Sequence, residues 1–141
     1  MREHMGLFRG KRTDNGEWVY GSLIAPIYGA KPLILQNAAI DDSGCLEFDY
    51  YFVDPDTVGE CTGLRDKNGK LIFEGDILLN KDCGKIRKYI VGYYAPFAMF
   101  MLNDEERHCG SNGMYTQLIT CEIIGNIHDN PELLKGGEGD G

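Results

Sequence analysis

No apolar run in this chain is long enough to cross a membrane: stretches such as Ala95 to Leu102 fall well short of the roughly 18–20 residues a spanning helix needs. The five cysteines, Cys45, Cys61, Cys83, Cys109 and Cys121, are an odd set with no C-x-x-C pair. Zinc calls for about four converging ligands in closely spaced pairs, so no metal site is expected. No signal-peptide pattern opens the sequence, and the thiols are expected to be reduced in a soluble, cytoplasmic protein of the bacterial host cell. Phosphate-cradling glycine motifs and serine nucleophile elbows are absent, and neither a cofactor nor a catalytic residue is expected. Basic residues are scarce: 14 Lys and Arg stand against 22 Asp and Glu, for a net charge of -8. Broad attraction to phosphate is therefore disfavoured. The shortage is sharpest from Pro32 to Leu64, where no Lys, Arg or His occurs while Asp41, Asp42, Glu47, Asp49, Asp54, Asp56 and Glu60 do.

Glycine, by contrast, is plentiful, at 19 of 141 residues. It disfavours helix interiors and points to turns between short strands. Three Asn-Gly dipeptides, at 15–16, 68–69 and 112–113, offer the positive φ angles of tight hairpin turns, and the first two separate strand-like runs. Trp18, Tyr20 and Ser22 alternate with Val19, Gly21 and Leu23 after the first of them. A short strand is expected at 33–36. Leu46, Phe48, Tyr50 and Phe52 recur at period two within 45–53, predicting a half-buried strand. Runs at 85–94, 97–102 and 120–127 read as further strands, with a polar loop over 103–113. Asp129-Asn130-Pro131-Glu132 fits a capped helix start with a single turn following.

The predicted fold is mainly β: an N-terminal β lobe over 1–74, a C-terminal lobe over 75–135 in the strand order of an SH3-like barrel, and a disordered tail at 136–141. The boundary is placed at Glu74-Gly75.

Several blocks resemble the YopX family of phage and prophage proteins. They are Phe8-Arg9-Gly10-Lys11, Gly16 to Gly21, the central stretch Val53 to Ile77 with Thr62-Gly63-Leu64, Asp66-Lys67-Asn68-Gly69 and Glu74-Gly75-Asp76-Ile77, and finally Ile124 to Ile127 with Asn130 to Leu134. The resemblance implies a mainly β protein with an irregular front half and an SH3-like rear half, encoded by phages. It carries no activity over to this chain. Glu60 and Cys61 depart from the family pattern, where a glutamine and an aromatic residue are usual, and so do the first residues, Met1 to Gly6.

Few residues suggest chemistry. His108-Cys109 beside Asp104-Glu105-Glu106 is an adjacent pair whose side chains have no reason to converge, and Asp54, Asp56 and Glu60 lack the spacing of a calcium loop. Trp18, Tyr93, Tyr94, Phe97 and Phe100 can be read as a recognition surface, but strand spacing favours core packing. The sharpest basic feature is Arg9, Lys11 and Arg12 around Phe8, where cations and a ring could meet a nucleic acid. Solvated strand charges are the simpler reading. The leading expectation is a non-enzymatic module that binds an unknown protein or forms a homo-oligomer through sheet edges. The alternative is a nucleic-acid-associated protein using Phe8, Arg9, Lys11, Arg12 and the SH3-like lobe.

Overall fold

A computed structural model describes residues 4–25, 29–82, 84–103, 109–113 and 120–135. The protein is mainly β, and its contacts divide it into two units, Met1–Cys61 and Thr62–Gly141.

In the first unit, β1 (Phe8–Lys11), β2 (Trp18–Ile24), β3 (Leu33–Ile40), β4 (Leu46–Phe52) and the start of β5 (Gly59–Arg65) form an antiparallel array in the order β4-β3-β2-β1-β5. The Asn15-Gly16 turn joins β1 to β2 as the sequence predicts. Gly16 sits at φ +74°, the Asn15 side chain accepts from the Glu17 amide at 2.9 Å, and Lys11 lies opposite Trp18. Val19, Ile34 and Val53 are buried together, flanked by Leu23, Tyr51 and Val58. Strand alternation explains this membership: Val19 and Leu23 share one side of β2, while Trp18, Tyr20 and Ile24 take the other.

The second unit holds β6 (Leu71–Phe73), β7 (Asp76–Asp82), β8 (Lys85–Tyr94), β9 (Met99–Asn103), β10 (Cys109–Gly113) and β11 (Cys121–Asn126). Its main sheet runs β10-β9-β8-β7-β11. Ile72, Leu78, Val91, Leu102 and Cys121 are its buried centre. Short 3-10 turns lie at Pro55–Thr57, Ala95–Phe97 and Pro131–Lys135.

The start of the second unit is defined by its bonds, and two expectations need correction. By contacts the second unit begins at Thr62: Ile72 belongs to its core, and the Asp66 turn is bonded to β11 through Lys67 N–H to the Cys121 carbonyl at 3.0 Å. Glu74-Gly75 is a tight turn that carries the chain from β6 to β7, with Gly75 at φ +87° and its amide donating to the Val91 carbonyl. Asn112-Gly113 lies in β10, where Gly113 pairs with Met101, so part of the expected polar loop is strand. Finally, Tyr93, Tyr94 and Phe97 are exposed, and Trp18 and Phe100 are half-buried. Phe100 packs against the second core as expected, whereas Tyr93, Tyr94 and Phe97 lie outside it around the end of the β8–β9 hairpin. Tyr93 meets Phe100 at 5.4 Å and Tyr94 meets Phe97 at 5.0 Å, both edge to face. His108, the Cys109 side chain, the acids at 104–106 and the tail at 136–141 lie outside the described residues.

Candidate functional site

The basic residues of the first strand do not share one surface. Arg9 and Lys11 lie on the side of β1 that carries Trp18: the Arg9 guanidinium is 4.7 Å from the indole centre and the Lys11 ammonium 5.5 Å. Arg9 is 6% exposed. Arg12 lies with Tyr51, 4.4 Å from its ring, on the opposite side, and grips Asp14 through two hydrogen bonds of 2.9 and 2.6 Å. This ion pair raises the Arg12 pKa and lowers that of Asp14. Phe8 is half-buried. The structure thus brings Arg9 and Lys11 together over Trp18 and separates Arg12 from them.

A different surface is present where the sequence predicted a half-buried strand. β3 pairs with β2 only through Leu33, Ile34 and Leu35. Beyond that point, the Gln36 side chain donates to the Tyr20 carbonyl at 2.8 Å, and the register shifts between Gln36 and Ala39. Asn37 sits there at φ +56°, a conformation Asn tolerates, and its amide donates to the Asp49 carboxylate at 2.9 Å. From Asn37 to Tyr50 every residue is exposed. Among the described residues, the distal part of the β3–β4 hairpin is therefore an arm in which β3 and β4 pair only with each other. A turn closes it, in which the Asp41 carboxylate accepts from the Ser43 hydroxyl and from the Ser43 and Cys45 amides, lowering its pKa.

One face of this arm is apolar. Leu46 (60% exposed), Phe48 (42%), Tyr50 (55%) and Phe52 (48%) line it, with Ile40 (72%) opposite Leu46. Phe48 and Tyr50 have ring centres 6.4 Å apart, and Tyr50 and Phe52 6.1 Å apart with perpendicular planes. Glu47 and Asp49 occupy the alternate positions and are also exposed. The strand expected to be half-buried is exposed on both faces over Leu46–Tyr50, since period-two alternation reports a strand with two unlike faces and not which face is covered. Length gives no signal either: β2 has seven residues and β3 eight, so fuller pairing would be possible, and the departure of β3 at Gln36 is visible only in the structure.

The polar residues of the family-like blocks serve the fold. Asp66 accepts from the Asn68 and Lys70 amides in its own turn, at 2.8 and 2.9 Å, and from Ile123 N–H on β11 at 3.0 Å. Burial works against its charge, but these three amides and the nearby Lys70 outweigh it and lower its pKa. Asp76 accepts from Phe73 N–H across the β6–β7 turn at 2.8 Å. The Asn126 side chain accepts from the His128 and Asp129 amides, and Asn130 from Asn126 N–H. Asp54 caps the first 3-10 turn through the Asp56 amide. Cys61 and Cys121 are buried and Cys45 is exposed, all three as free thiols; burial pushes the Cys121 pKa up to about 11 despite nearby Lys67. Among the described residues no group of three or more His, Cys, Asp or Glu could hold a metal ion. A cavity of about 570 Å³, lined by His4, Met5, Tyr20, Leu35 and Gln36 among others, lies where the arm leaves β2. No described helix is long and apolar enough to cross a membrane.

A family model described as YopX protein matches residues 7–135. The crystal structure of protein EF1440 from Enterococcus faecalis is similar at a TM-score of 0.58 and 26% identity, covering 90% of this chain and 96% of that one. No curated protein matches the sequence.

Proposed function

The chain belongs to the YopX protein family, and on that premise we propose that it is a non-enzymatic, phage-type accessory protein that works by docking the apolar arm of its first unit onto another protein. The carrying observation is the row Leu46, Phe48, Tyr50 and Phe52, exposed together with Ile40 on a hairpin whose distal part, from Asn37 to Tyr50, adds no residue to either buried core. Large exposed apolar groups in one contiguous row mark interaction surfaces, and aromatic residues dominate the energetics of such contacts. The polar residues of the family-like blocks direct their hydrogen bonds to backbone amides, so they support folding and give no support to catalysis.

The nucleic-acid reading draws less support. Arg12 is engaged by Asp14, Arg9 is buried against Trp18, and the net charge is -8.

A photo-crosslinking amino acid at position 48 tests the proposal in phage-infected or prophage-induced cells, with one at exposed Lys70 as control. Position 48 should give a discrete crosslinked protein and position 70 should not. Equal crosslinking at both positions, or none at 48, contradicts it.

A further inference from the structure

β4 is the terminal strand of its array, and hydrogen bonds fix which of its backbone groups face outward. Val53 N–H donates inward to the Pro32 carbonyl, whereas the Phe52 carbonyl accepts from Thr13 N–H on the opposite edge. Backbone groups alternate sides along a strand. Residues 47, 49 and 51 therefore turn their N–H and C=O groups toward β3, and Leu46, Phe48 and Tyr50 turn theirs to the outer edge. Phe52 is occupied by Thr13, while Leu46–Tyr50 is exposed on both faces.

An open edge with unlike faces selects its occupant by pattern. A strand laid along it places alternate side chains beside Leu46, Phe48 and Tyr50, where apolar groups fit, and the intervening ones beside Glu47 and Asp49, where cations fit. A second copy of β4 fits poorly, because it would set Glu47 and Asp49 against identical carboxylates. No Lys, Arg or His between Pro32 and Leu64 offsets them, and like charges directly opposite are destabilising.

We propose that the open edge of β4 takes up an extended segment of a different protein as an added strand, and that this segment alternates apolar with basic residues. The inference rests on the arm being the docking surface. Main-chain hydrogen bonds to Leu46, Phe48 and Tyr50 supply affinity, and the two faces supply specificity, as in other strand-addition complexes.

Amide NMR spectra of the full chain test this with synthetic peptides of about eight residues, a usual strand length. One alternates Lys and Val, a second has the same composition in two blocks, and a third alternates Glu and Val. The alternating Lys/Val peptide should shift the Leu46, Phe48 and Tyr50 amides at a concentration at least about tenfold lower than either other peptide, with weaker binding as salt rises. The Glu47→Lys, Asp49→Lys variant, at two exposed positions, should reverse the preference toward the Glu/Val peptide. Three results each overturn the inference: equal binding of the block peptide, shifts that map elsewhere, or selectivity unchanged by the charge reversal. Concentration-dependent shifts of these amides in the protein alone would identify a second copy as the occupant and overturn it too. None of these touches the docking reading, which fails separately if position 48 yields no crosslink.

Discussion

The carboxylate of Asp66 ties its own turn to β11 by accepting three backbone amides at a buried position. Removing it leaves those donors without their acceptor, so Asp66→Ala should cost about 2–4 kcal/mol in urea unfolding at pH 7. Its pKa is lowered in the folded protein. The unfolded chain therefore takes up the proton first as the pH falls. The stabilisation is present above the unfolded value near 3.9 and is lost as the pH drops through the lower folded value. Urea midpoints of the parent should accordingly fall more between pH 6 and pH 2 than those of Asp66→Ala, over roughly that acid window; parallel curves would show that Asp66 is not the linked group. The thiols make a second comparison. Exposed Cys45 should react with a thiol reagent at neutral pH in the native protein, whereas Cys121, buried with its pKa pushed up to about 11, should react only after unfolding.

At the scale of elements, the hairpin at Asn15-Gly16, the turn at Asn68-Gly69 and the Pro131 3-10 turn were legible because each depends on a few adjacent residues. The family-like blocks were legible too, and their physical reason is now visible in the bonds of Asp66, Asp76, Asn126 and Asn130. What the residues did not disclose was long-range. Glu74-Gly75 has the composition of a linker and of a turn inside one unit alike, and only the bonds of Gly75 to Val91 and Ile127 decide between them. Gly21 is similar: a Cβ there would collide with the Leu35 carbonyl on β3, a contact local sequence cannot reveal. Gly21→Ala should force β2 and β3 apart at the root of the arm and destabilise by at least about 2 kcal/mol in urea unfolding. A change below about 0.5 kcal/mol would mean that the two strands separate there at little cost.

Across the whole molecule, charge and apolar exposure point to the same kind of partner. A chain of net charge -8, with its acid-only stretch around the exposed aromatic row, suits a protein surface better than a phosphate backbone. Duplex and single-stranded nucleic acid should bind weakly or not at all at physiological salt. Any residual binding should fall steeply between roughly 50 and 200 mM salt; submicromolar binding that survives that range and disappears in Arg9→Ala and Lys11→Ala would favour the other reading. Docking through the arm requires above all that the apolar face of β4 be surface and not core. Urea unfolding of the Phe48→Ser, Tyr50→Ser double variant beside Ile34→Ala measures this directly. The double variant loses cross-strand contacts alone and should fall by no more than about 1.5 kcal/mol, whereas Ile34→Ala, at a fully buried site, should fall by about 2–5 kcal/mol. A double variant that loses as much as Ile34→Ala would place Phe48 and Tyr50 in a core and contradict the account.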